Sequence, residues 1–262
     1  MNILITGAGS GIGEATKDYY LEKGNNVYAL DIKEMESKDN LVSFNVDITN
    51  IDNLNEVVKY LKENNIELDL IINVAGIHKM ASLVESSIND LKKVIDVNLV
   101  GTMLVNRTFH KFLNKQGKII IVTSEVAPFD PMPFNGLYNI SKTALDCYAQ
   151  ALRQELNLID QKVITIRPGA VDTPLSSGSL VDTENLANFT ILYRKQANKF
   201  LGITKKFMGT PIKTIKVAKL IYKVSIKKKP KLVYSIHRNI GLVLLSILPK
   251  RLQCFIIKLL LK

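Results

Sequence analysis

Three side chains in the middle of the sequence have the types and spacing for proton transfer: Ser124, Tyr138 and Lys142. Tyr138 and Lys142 are four apart, so on a helix they stack on one face. An ammonium beside a phenol favours the phenolate and lowers the tyrosine pKa from its usual value near ~10. Such a phenol can exchange protons near neutrality. A serine at the end of the preceding strand can hold a substrate oxygen against it. The intervening sequence suits that arrangement. An apolar run, residues 118–123, leads into Ser124; a loop with three prolines follows; helical spacing then begins at Asn135.

The elements that must position these groups are legible as an alternation. Apolar runs of strand length at 2–6, 27–31, 41–46, 68–74, 118–123, 162–167 and 231–235 alternate with helical patterns near 12–23, 51–64, 87–113, 136–158 and 212–224. Continuous apolar strands separated by helices predict an α/β fold with a doubly wound parallel sheet covered on both faces. At 262 residues and 29.3 kDa the chain can bury one sizeable core. The expected division is one domain over residues 1–238, with a substrate lid near 175–210, and a basic, apolar helical tail over 239–262. The first strand begins at residue 2, which leaves no room for a signal peptide, so a cytoplasmic setting is expected. Cys147 and Cys254 read as apolar packing residues in a reducing compartment. His78, His110 and His237 read as surface or packing residues, and no metal-ligand spacing occurs.

Binding residues fall where such a sheet needs them. The first strand runs into T-G-A-G-S-G-I-G, residues 6–13. There Gly7, Ser10, Gly11, Ile12 and Gly13 can cradle a pyrophosphate at a helix N-terminus. The glycines fall at 7, 9, 11 and 13, so the G-x-G-x-x-G spacing is not met. Asp31 ends the second strand, where a carboxylate accepts hydrogen bonds from ribose hydroxyls and repels a 2′-phosphate. This favours NAD(H) over NADP(H), with Lys33 nearby as the opposing signal. Asp47 and Ile48 can touch an adenine, although Asp47 reads equally well as a turn residue. Asn73, Ala75 and Gly76 close the fourth strand, where small residues let the chain pass close to a ligand. Asn98 is a polar residue inside a long apolar helix, either a satisfied core amide or part of a polar site. Pro168 and Gly169 break the chain after the sixth strand, with Val171 and Thr173 just beyond and Thr173 able to bond a carboxamide or phosphate.

Taken together, Thr6-Gly-x-x-x-Gly-Ile-Gly13, Asn73-x-Ala-Gly76, Asn98, Ser124, Tyr138-x-x-x-Lys142 and Pro168-Gly169 resemble the short-chain dehydrogenase/reductase family. The resemblance covers residue 2 to about 235. Val74 departs from the family's usual Asn or Ala. The segment from Pro133 to Leu145 is also similar to the retinol and hydroxysteroid dehydrogenase branch. The resemblance implies a single seven-stranded Rossmann sheet, assembly as a homodimer or homotetramer, and hydride transfer between a nicotinamide and a carbonyl/secondary alcohol pair. By position, Tyr138 would be the general acid/base, Lys142 would lower its pKa and hold the ribose, Ser124 would orient the substrate oxygen, and Asn98 would hold a relay water. Two other readings stand beside it. One is a soluble 3-oxoacyl or sugar reductase of the same family. The other is a nucleotide-binding protein without turnover, which the intact Tyr/Lys pair argues against.

Charge is unevenly distributed. Of 35 Lys and Arg, 18 lie after Glu184, where no Asp or Glu occurs; the other 17 share residues 1–184 with all 24 acids. The basic third is interleaved with aliphatic rather than stacking aromatic residues. It therefore suits a membrane surface and argues against nucleic acid as a partner. Residues 240–262 are apolar but are cut by Pro249-Lys250-Arg251, and neither piece reaches the ~18–20 residues that span a bilayer. The expectation is peripheral contact, and with it a lipophilic small-molecule carbonyl or alcohol substrate.

Overall fold

The computed structural model describes residues 1–207 and 210–262; Met208 and Gly209, at the end of the expected lid, lie outside the described residues. Seven strands form one all-parallel sheet: β1 (Asn2–Thr6), β2 (Asn26–Asp31), β3 (Leu41–Asn45), β4 (Leu68–Asn73), β5 (Leu113–Val122), β6 (Lys162–Pro168) and, at the far edge, β9 (Val233–Ile236). Their order is β3-β2-β1-β4-β5-β6-β9. A further parallel pair, β7 (Val171–Asp172) with β8 (Ile212–Lys213), stands apart. It joins the two ends of the excursion where the lid was expected. The segment where a lid was expected forms two helices, α6 (Pro174–Phe189) and α7 (Arg194–Phe207).

Alternation along each strand builds two cores. Leu4, Ile71, Ile119 and Ile121 face one side, against α2 (Ile51–Glu63), α4 (Thr102–Phe109) and α5 (Gly136–Asn157). Ile3, Ile5, Ile72 and Ile120 face the other, against α1 (Gly11–Glu22) and α8 (Thr214–Ser225). Strands apolar at every position thus bury both faces, which is why they read as continuous runs.

The sheet order reverses beside β1. The chain winds outward to β2 and β3, then crosses to β4, and a crevice opens at the strand ends between the two halves. Thr6 closes its floor, accepting from Val74 N at 3.2 Å and Ala75 N at 3.3 Å.

The long helix expected over 87–113 is wound three ways. Ser87 caps α3 (Ile88–Ile95), accepting from Asp90 N. A π-wound segment, Asp96–Gly101, follows, and then α4 ending in a short 3-10 turn. The tail is two helices, α9 (Ile240–Ile247) and α10 (Lys250–Leu261), broken at Pro249 as its fixed φ and missing N–H require. Among the described residues no helix is long and apolar enough to cross a membrane. Cys147 and Cys254 are both exposed free thiols, not packing residues. Each lies on a helix face that meets no core, which an apolar-residue reading of cysteine does not detect.

Candidate active site

The trio expected to be catalytic sits where β5 ends and α5 begins. The sheet ladder continues past both strands: Thr123 N donates to Ile166 O at 2.9 Å and Glu125 N to Pro168 O at 2.8 Å. Ser124 is therefore held at the crevice. Helix α5 is fixed to β6 from beneath. Arg153, which is buried, donates from Nε to Val163 O at 2.9 Å and from Nη2 to Thr165 Oγ1 at 2.8 Å. Arg167 Nε donates to Asp146 Oδ1 at 2.9 Å. The proline-containing loop is tied to the same helix: Asn139 donates to Val126 O at 2.8 Å and Thr143 to Ala127 O at 2.9 Å. Strand, loop and helix thus set Ser124, Tyr138 and Lys142 together, each more than nine-tenths buried.

The electrostatics differ from the sequence expectation. Burial pushes Tyr138 up to about 12, opposed by a hydrogen bond with Ser124. Burial also pushes Lys142 down to about 8. Lys142 Nζ lies 5.8 Å from the Tyr138 ring centroid and makes only a long hydrogen bond, 3.5 Å, to Val122 O. Loss of hydration disfavours both charged forms more than their mutual attraction restores them. The resting pair is a neutral phenol beside a weakly held ammonium, not a phenol poised near neutrality.

A cavity of about 450 Å³ opens over this floor. It brings together most of the residues expected to bind. From the first turn come Gly7, Ser10, Gly11 and Ile12; from the ends of β2 and β3, Asp31, Asp47 and Ile48; from the end of β4, Ala75 and Gly76; and from beyond β6, Pro168, Gly169, Val171 and Thr173. Gly13, Asn73 and Asn98 stand behind the wall rather than on it. Asn98 is fully buried, and its amide accepts from Ile77 N at 2.7 Å and donates to Ile77 O and Ser141 Oγ, both at 2.9 Å. It pins the loop after β4 to α5. Asn73 donates to Asn106 Oδ1 at 2.9 Å, while its own Oδ1 is buried without a partner. Asp47 accepts from Thr49 N at 2.8 Å, so it is a turn residue as well as a cavity residue. Thr173 caps α6, accepting from Ser176 N at 3.2 Å.

The crevice fits a dinucleotide. Ser10 sits at the N-cap of α1 without a side-chain capping bond, so the first amides of that helix have no side-chain acceptor. Gly7, at φ 69°, turns the chain so closely under β4 that a Cβ would lie 2.7 Å from Ala75 N. Asp31 accepts from Gly9 N at 2.8 Å and Lys33 N at 2.9 Å. Two protein donors leave about two of a carboxylate's roughly four acceptor positions for ribose hydroxyls.

Sequence reasoning missed His78. Its ring lies 4.3 Å from that of Tyr138, and Nε2 is 3.1 Å from Asn135 Oδ1. Nδ1 is buried with no partner, and burial lowers the pKa to about 4. A lone histidine 60 residues from the tyrosine gives no sequence signal of that contact. The α6–α7 segment is fastened over the same loop. Met80 N donates to Asp182 Oδ2 at 3.3 Å, and Glu85 accepts from Thr190 Oγ1 at 2.6 Å and Ile191 N at 2.8 Å. Phe134, Phe200 and Met80 pack with one another and with Leu261 of the tail, so these residues form a loop core. The side chain of Phe207 and all of Met208 lie outside the described residues.

A switch-point crevice floored by a serine, a tyrosine and a lysine defines a dinucleotide-binding oxidoreductase class. Comparison with known sequences narrows it. The pattern of the family described as short chain dehydrogenase matches residues 1–183, and the chain belongs to that family. It is 34% identical over 186 residues to an NADPH-dependent 1-acyldihydroxyacetone phosphate reductase of Schizosaccharomyces pombe, a match that spans 68% of this chain and 62% of that protein's length. It is 28% identical over 205 residues to a 3-ketodihydrosphingosine reductase of Bacteroides thetaiotaomicron, spanning 78% of this chain and 74% of the relative. Among solved structures, a short chain dehydrogenase family protein of Francisella tularensis superposes with a TM-score of 0.74 at 25% identity, over 90% of this chain and 96% of the other.

Proposed function

We propose that this chain is an NAD(P)-dependent oxidoreductase that reduces a lipophilic ketone to a secondary alcohol. The observation that carries this is the buried grouping of Ser124, Tyr138 and Lys142 beneath a dinucleotide-sized crevice. A nicotinamide, when bound, supplies the hydride. Ser124 donates to the carbonyl oxygen and aligns it. Tyr138 gives that oxygen its proton as negative charge develops there. The raised Tyr138 pKa keeps the acid form present at neutral pH, the form that proton donation to a ketone oxygen uses. Lys142 places a positive charge beside the ribose and the phenol. Asn98 acts behind it by fixing the loop at Ile77, and any relay water belongs to this part of the site.

The lipophilic substrate class draws on the two relatives whose names specify acyl and long-chain keto substrates and on the apolar tail packed beside the lid. Asp31 favours NAD(H), although the fungal relative is NADPH-dependent by name. A homodimer or homotetramer, a cytoplasmic setting and contact of the tail with a membrane surface accompany this reading. The test is a panel of long-chain and short-chain ketones run with NADH and NADPH side by side. The reading expects turnover on the long-chain members and higher kcat/KM with NADH. Turnover confined to sugars or short acyl thioesters would overturn the substrate class, and a strong NADPH preference would overturn the role of Asp31.

A pH profile checks the role of Lys142. It is charged below about pH 8 and neutral above, whereas Tyr138 stays a phenol to about 12. In the reducing direction kcat/KM for NADH, which reports free-enzyme groups, is expected to be level below pH 7. Well above pH 8 it should fall roughly tenfold per pH unit. A profile level to pH 10 would show that the Lys142 charge plays no part.

A further inference from the structure

We infer that the outward face of helices α9 and α10 docks on an anionic lipid surface. The inference deepens the membrane contact named above, and it rests on how the two helices are placed. Helix α10 is anchored on one side only. Gln253, Ile257 and Leu261 point inward, with Gln253 donating to Asp130 Oδ2 at 3.1 Å and Leu261 buried against the cluster of Met80, Phe134 and Phe200. At 100° per residue, Leu252, Phe255 and Leu259 lie on the opposite face. Phe255 and Leu259 each expose more than half of their surface. Arg251, Lys258 and Lys262 run alongside that ridge, and none makes an ion pair among the described residues. Helix α9 has no fully buried residue, and Ile240, Leu244 and Ile247, spaced on one stripe, are all more than three-fifths exposed.

Charge decides the occupant. An apolar ridge bordered by cations, in a third of the chain without one acid, complements a negatively charged leaflet. A second copy would bring the same patch to itself in an isologous contact, setting Arg251, Lys258 and Lys262 against their own counterparts. The face is also tied to the site. Asn239, the N-cap of α9, donates its N–H to Glu125 Oε2 at 2.6 Å, one residue beyond Ser124. A bilayer holding α9 therefore lies against the wall of the catalytic loop.

Flotation of the full chain with vesicles tests this without reading turnover, so its failure is separate from failure of the catalytic assignment. Phosphatidylcholine vesicles with about one-third phosphatidylglycerol should carry at least about tenfold more protein than phosphatidylcholine alone at low salt, since each cation near the surface contributes. Phe255→Asp with Leu259→Asp, and separately Arg251→Gln with Lys258→Gln and Lys262→Gln, should each remove most of that binding. Thermal melting should be unchanged, because these side chains face outward. Wild-type protein that stays unbound at low salt overturns the inference. So does a double aspartate variant that floats like wild type. Sedimentation showing a dimer that the aspartate variant dissociates would assign the face to a second copy instead.

Discussion

Tyr138→Phe is expected to lower kcat for ketone reduction by about 10²- to 10⁴-fold, the usual contribution of a positioned general acid. NADH binding should stay within a few-fold of wild type. The two effects separate because the substitution removes one atom. The ring still stacks on His78 at 4.3 Å and still lies under Lys142, so the floor of the crevice keeps its shape. What is lost is the phenol hydroxyl bonded to Ser124. The buried Ser124 hydroxyl still accepts from Val126 N at 3.4 Å but loses its phenol partner, a cost of about 1 kcal/mol, which calls for a thermal melt alongside the kinetics. Steady-state rates and a fluorescence titration of NADH give both readouts. Turnover within tenfold of wild type would remove Tyr138 from the mechanism. Loss of NADH binding together with turnover would mean that the hydroxyl serves the cofactor rather than the proton.

The strands and the first turn were legible for a physical reason. A strand buried on both faces must be apolar at successive positions, as Ile119, Ile120 and Ile121 are in alternating cores, and short length with β-branched residues separates such a run from a buried helix segment. Other features leave no periodic trace. Strands β7 and β8 have two residues each, too few for any alternation to register. The π-wound turn around Asn98 adds a residue to one turn of an otherwise helical apolar pattern, and a sequence window averages it away. The lid read as irregular because α6 buries only Thr183 and Ala187. A helix that touches little carries little amphipathic signal.

The grouping of the candidate site was legible, its energetics less so. Residue types and spacing placed the serine, tyrosine and lysine together. They could not supply the degree of burial, and burial sets the direction of both pKa shifts. An i, i+4 tyrosine and lysine on an exposed helix would behave as charge attraction alone predicts. Here, behind the proline loop and under the lid, loss of hydration outweighs that attraction. His78 was hidden for a related reason: its contact with Tyr138 comes from the loop after β4 being drawn under α5 by Asn98, a long-range consequence of the fold.

Gly13→Ala is expected to be among the most damaging glycine-to-alanine substitutions in the described residues. Its Cβ would lie 1.9 Å from Gly7 O and 2.6 Å from Gly7 C, both backbone atoms that no rotamer change can move aside. Relief requires separating the first turn from α1 by more than an ångström. That spreads the amides that would hold a pyrophosphate and lifts Gly7 from its contact with β4. The expected cost is about 3–5 kcal/mol, at the upper end for a single substitution, which in a chain of this size lowers Tm by on the order of 10 °C. NADH affinity should fall by at least about 100-fold, or ~2.7 kcal/mol. Two other substitutions calibrate the result. Gly178→Ala, inside α6 with nothing within 4 Å, should raise stability by about 0.5–1 kcal/mol through its better helix propensity. Gly9→Ala meets first the Asp31 carboxylate, at 2.9 Å from Cγ, and should shift the preference between NADH and NADPH more than it shifts Tm. A Gly13→Ala protein that binds NADH like wild type would show that the cofactor phosphates do not sit on this turn.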